Sequence, residues 1–148
     1  GCSLGALTAQ PAADRARGWP ERLRPDALFL VTHCAGLEEA VLRGSIGRVW
    51  GARRAAEAAG WTPDDLARYL PLLAPTEGPV VPAANIVSIL GTRDTVTPYD
   101  SGKALVDGWG LPPENLFLWN RGHFSVPLTL MRDHAPLRRL KMIVERLM

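Results

Sequence analysis

The chain is short of lysine and cysteine: its 148 residues include two of each, Lys103 and Lys141, Cys2 and Cys34. Arginine supplies most of the positive charge, the net balance is only +2, and the basic residues are scattered rather than massed on one stripe. That excludes the electrostatic footprint of a nucleic-acid binder. Two cysteines without metal-type spacing give no metal or disulfide framework, and they read as free thiols in a reducing compartment, so the expected location is the cytoplasm. Long apolar runs are missing too. The longest free of charge and proline, Ala27 to Leu37, is interrupted by Thr32 and His33 and is far too short to span a bilayer. Nothing resembles a secretory signal, and there is no internal repeat or low-complexity tract. What remains is ordinary: 47% hydrophobic and 22% charged residues, enough for one domain with a real core.

The first five residues are not ordinary. GCSLG, Gly1 to Gly5, has the frame G-x-S-x-G. A sharp strand-to-helix turn that holds a serine oxygen in the open needs such a frame, because small flanking residues keep the strained turn free of clashes. The frame alone is weak, since roughly one chain in twenty of this length would match it by chance. Ser3 also has a plainer reading, as an N-cap serine.

Downstream, strand and helix signals alternate. Leu4 to Arg17 reads as a helix that Pro11 kinks or splits. DALFLVTHCAG (Asp26–Gly36), NIVSIL (Asn85–Leu90) and NLFLW (Asn115–Trp119) read as short strands, the first two as strands buried on both faces of a parallel sheet. Residues 37–84 form a helical excursion, in which Thr62 caps a helix over Trp61 to Leu73 and Pro75, Gly78, Pro79 and Pro82 make a linker. Thr97, Pro98 and Asp100 signal the start of another helix, with Thr97 as cap. In the tail helix, Leu137, Leu140, Val144 and Leu147 fall on one face. Alternation of this kind predicts an α/β fold, a parallel sheet flanked by helices.

Sites in such sheets form beyond the carboxyl ends of the strands. Three groups lie there: Ser3, then Asp94 in GTRDTVTP, then His123 in RGHFS. A serine hydroxyl needs a base to become a nucleophile, an imidazole titrates near working pH, and a carboxylate on its other nitrogen fixes the tautomer. Glu38, Glu39 and Asp100 are rival acids, and Asp94 could simply form a turn. His33 is expected to be structural or to line the pocket, and His134 to lie on the surface. Trp50, Trp61, Tyr69 and Leu70 read either as plain core or as an acyl-binding lid.

With the elbow GCSLG, the acid loop GTRDTVTP, the histidine loop GHFS and the order Ser, Asp, His, the chain resembles the C-terminal half of an α/β-hydrolase. The resemblance implies a partial α/β-hydrolase fold over 1–148 that begins at the nucleophile elbow, with 37–84 in the place of the variable cap. It implies a serine hydrolase acting on an ester or thioester of an apolar acyl group, with Ser3 as nucleophile, His123 as base, Asp94 as its orienting acid and the Leu4 N–H as one oxyanion donor. It calls for no cofactor and no metal. An acyltransferase on the same residues, or a non-catalytic piece, are the alternatives. In that family five strands precede the elbow, so the resemblance also implies an open, unpaired edge along the strand at 27–32.

Overall fold

The computed structural model describes residues 1–48, 51–70 and 78–148. Trp50, Pro75 and the last residues of the expected 61–73 helix lie outside these described residues. The helices and strands are α1 (Leu4–Arg15), β1 (Leu28–Val31), a π-helical turn (Glu39–Arg43), α2 (Ser45–Arg48), α3 (Ala52–Ala58), α4 (Pro63–Tyr69), β2 (Ile86–Gly91), α5 (Tyr99–Gly108), β3 (Leu116–Trp119), α6 (Ser125–Leu130) and α7 (Ala135–Leu147).

The strands form one parallel sheet in the order β1-β2-β3, with Leu28 opposite Ile86 and Ser88 opposite Leu116. The chain therefore has the expected α/β architecture. Strand side chains alternate between faces. Leu28, Leu30 and Ile86 pack with Ala6 and Ala13 of α1 and with Trp109 at the end of α5, whereas Val31 and Ile89 pack with Val126 of α6 and with Phe117 and Leu130. All six residues of β2 are buried, as befits a central strand covered on both sides. Among the described residues no helix is long and apolar enough to cross a membrane.

Several expectations need correction. Pro11 does not split α1, which runs through it; the proline is buried, and the packing of α1 against the sheet outweighs the lost i→i−4 bond. The edge of β1 is not open. The Gly1 amino group donates to the Phe29 carbonyl (2.6 Å), Val31 N–H to Gly1 (3.0 Å) and Ser3 N–H to Val31 (2.9 Å). Residues 1–3 thus act as a short extra strand, with Cys2 bridged in parallel to Val31.

The apolar stripe expected on α7 is turned mostly outward: Leu137, Val144 and Leu147 are each at least 40% exposed, and Leu140 is half-buried. The inward line is one residue earlier, through Pro136 and Ile143. Two arginines on that line set the rotation: Arg139 Nε donates to Asn115 Oδ1 (2.6 Å) and Arg146 Nη2 to Asn85 Oδ1 (2.7 Å). Both asparagines are buried just before their strands, so polar anchors rather than leucines decide how the helix sits.

Thr62 does cap α4. Its hydroxyl accepts from Asp65 N–H (3.1 Å), while the Asp65 carboxylate accepts from Thr62 N–H (2.8 Å) and Oγ1 (2.6 Å). Thr97 does not cap α5. Pro98 holds that position without a side-chain bond, and the Thr97 hydroxyl is engaged elsewhere.

Candidate active site

Ser3 is the last residue of the short strand at 1–3, just before α1, with φ 51° and ψ −122°, a region that non-glycine residues rarely occupy. Such strain persists only when the surroundings over-determine it. Here Ser3 N–H is tied to Val31, and Ala6 and Leu7 N–H both return to the Ser3 carbonyl. The two glycines of the frame are not equivalent. A Cβ at Gly1 would collide with the Gly5 carbonyl, whereas a Cβ at Gly5 would meet open space. Only Gly1 answers the steric demand read from the motif, because Gly5 faces outward on the first turn of α1. Gly5→Ala is therefore expected to keep the turn and to stabilise the protein by up to about 1 kcal/mol, the glycine-to-alanine helix difference, read as a rise in Tm. A fall in Tm would mean that the turn itself needs the second glycine.

Ser3 occupies the N-cap position of α1 but makes no capping bond. Its Oγ lies 2.8 Å from His123 Nε2 instead. His123 follows β3 in a tight turn, and its Nδ1 lies 2.8 Å from Asp94 Oδ2 in the turn after β2. The sheet brings these loops together and the backbone then laces two of them. Thr92 N–H donates to the Trp119 carbonyl (2.9 Å) and Arg93 N–H to that of Arg121 (3.0 Å). Gly91 permits this approach, since a Cβ there would press on the Arg121 carbonyl and on Val126.

Asp94 satisfies both of its readings at once. Oδ1 accepts from Val96 N–H (2.9 Å) and Thr97 N–H (3.0 Å), which is the aspartate turn, and Oδ2 is left for His123. A carboxylate can only accept, so the proton between Oδ2 and the ring belongs on Nδ1, and Nε2 is left as an acceptor for the Ser3 hydroxyl. His123 and Asp94 are buried, while Ser3 is half-exposed at the mouth. Leu4 is the first residue of α1. Among the described residues its N–H has no acceptor, the usual condition of a first-turn donor.

No family model, curated protein or solved structure matches this chain. The reading of the site rests on its geometry.

Two of the rival acids, Glu39 and Asp100, are engaged or placed elsewhere. Glu39 pairs with Arg43 (3.0 Å), and Asp100 is exposed on the first turn of α5. His33 is fully buried, bonded through Nε2 to Ser88 Oγ (2.8 Å) and stacked on Trp109; burial lowers its pKa to about 3, so it remains neutral at working pH. His134 is exposed and bonded to the Met131 carbonyl. Of the lid candidates, Trp61 and Tyr69 meet edge-to-face with their centroids 5.9 Å apart and are half-exposed, and Leu70 is buried. Cys2 and Cys34 are free thiols; burial pushes the Cys34 thiol up to about 12 and leaves it unreactive, while Cys2 is exposed. Among the described residues no three acidic, histidine or cysteine side chains gather as metal ligands.

Sequence reasoning missed Thr97. Its hydroxyl donates to Asp94 Oδ2 (2.9 Å) and lies 3.3 Å from His123 Nδ1. The T-P-x-D start signal hid it. A threonine three residues after the acid, within reach of the same carboxylate, was the cue available.

Proposed function

We propose that the protein is a serine hydrolase that cleaves an ester or thioester of an apolar acyl group through an acyl-enzyme. One observation carries this reading: the unbroken path Ser3 Oγ to His123 Nε2 to His123 Nδ1 to Asp94 Oδ2, with both hydrogen bonds at 2.8 Å. His123 takes the Ser3 proton as Oγ attacks the acyl carbon and returns it to the departing alcohol or thiol. Water then attacks the acyl-enzyme with His123 again as base. Asp94 holds the ring and stabilises the imidazolium. The Leu4 N–H, at the positive end of α1, supports the charge on the carbonyl oxygen. The apolar character of the substrate is supported by the side chains beside the two reacting groups, Leu4 and Phe124, both more than 60% exposed. Leu4 is also one end of an apolar groove of about 380 Å³ that follows α1 to Trp19, although none of Ser3, Asp94 and His123 lines it.

The test is covalent. A fluorophosphonate probe is expected to label the protein on Ser3, as mapped by peptide mass, and Ser3→Ala to abolish labelling. Undiminished labelling of the alanine variant, with the adduct on Cys2, would overturn the assignment.

A further inference from the structure

We infer that Thr97 is a positioning residue of the site, and that its hydroxyl locks the Asp94 carboxylate in the rotation that keeps the His123 proton on Nδ1. The inference rests on the hydrolase reading for its consequence in catalysis, although the hydrogen-bond geometry stands without it.

The torsion that turns a carboxylate about its last carbon–carbon bond is soft, with broad and roughly two-fold preferences. Two N–H donors, from Val96 and Thr97, both bind Oδ1 and so orient the rigid carboxylate, but neither holds Oδ2 itself. The Thr97 hydroxyl adds a direct hold on that oxygen, because it donates to Oδ2, the same oxygen that receives His123 Nδ1. The three atoms form a triangle with sides of 2.9 Å from Oγ1 to Oδ2, 2.8 Å from Oδ2 to Nδ1 and 3.3 Å from Oγ1 to Nδ1.

A hydroxyl has one proton. Directed at Oδ2, it leaves an oxygen lone pair facing Nδ1, which favours a proton on that nitrogen and therefore a free lone pair on Nε2, the acceptor that Ser3 requires. Thr97 is buried, so water cannot take over the bond when the hydroxyl is removed. Its position is itself fixed, since its own N–H is held by Oδ1 and Pro98 follows at the N-cap of α5.

Valine keeps the shape of threonine and its backbone N–H but lacks the hydroxyl. Thr97→Val is expected to lower kcat for a nitrophenyl ester by about 10- to 100-fold, the range for a hydrogen bond to a charged group, with KM nearly unchanged. Thr97→Ser, which restores the hydroxyl, is expected to recover activity to within a few-fold of the original. A second readout does not depend on turnover. In ¹⁵N-histidine spectra the His123 ring is expected as the Nδ1–H tautomer with a low-field proton, shifted and broadened in Thr97→Val and restored in Thr97→Ser. Thr97→Val with unchanged kcat and unchanged His123 resonances would overturn the proposal, as would equal losses in the serine and valine variants. A protein that shows the tautomer shift without probe labelling at Ser3 would overturn the hydrolase reading and leave the role of Thr97 standing.

Discussion

His123→Ala is expected to lower kcat for ester hydrolysis by about 10⁶-fold, and adding Ser3→Ala to it is expected to cost nothing more. On the proposed mechanism nucleophile and base act as one unit, so removing either removes the same step, and their losses do not multiply. The 2.8 Å bond between Ser3 Oγ and His123 Nε2 is the physical reason to expect this here. Asp94→Asn retains the shape and is expected to lose less, about 10⁴-fold, because an amide can present its N–H to the ring and select the wrong tautomer. The measurement is steady-state hydrolysis of a short-chain nitrophenyl ester by the four proteins. Losses that multiply in the double variant would show that Ser3 and His123 contribute independently, and the relay would then be an accident of packing.

Much of this arrangement was legible in the sequence because it is local or periodic. The parallel sheet follows from short apolar strands alternating with helices, and the elbow, acid loop and histidine loop each fall just past a strand. What was not legible came from competition for the same polar atoms. Thr97 carries a helix-start signal, yet its hydroxyl donates to a carboxylate three residues earlier in a charge-assisted bond, and Pro98 stands at the N-cap instead. On α7 the leucine stripe is the stronger apolar signal, yet two arginine–asparagine bonds turn the helix by one residue. Neither partner asparagine lies near α7 in sequence, so no window along the helix contains the deciding information. The open edge expected along β1 fails for a related reason: three residues at the start of the chain, read for their serine, also supply backbone partners.

Acid should destabilise the fold through a residue that the chemistry does not use. His33 is fully buried at the end of β1, and burial, aided by the nearby Gly1 amino group, lowers its pKa to about 3 from 6.5. Its Nε2 has Ser88 as partner, but among the described residues its Nδ1 has none. The neutral ring tolerates this; the protonated ring would bury a charge with one donor unmet. In the unfolded chain the same imidazole takes up a proton near its ordinary value, so below pH 6.5 the unfolded state binds more protons than the folded one. Stability is then complete above pH 6.5 and is lost as pH falls from about 6.5 towards about 3. At 1.36 kcal/mol per unit, the full shift corresponds to a loss on the order of 5 kcal/mol, a large share of the 5–15 kcal/mol typical of a domain. Denaturant unfolding at several pH values is expected to show this slope in the wild type. His33→Leu, whatever its stability at neutral pH, is expected to show a flatter profile over the same window. Parallel profiles for the two proteins would show that His33 either gains a partner or reaches solvent when protonated, and acid sensitivity would then belong to the carboxylates.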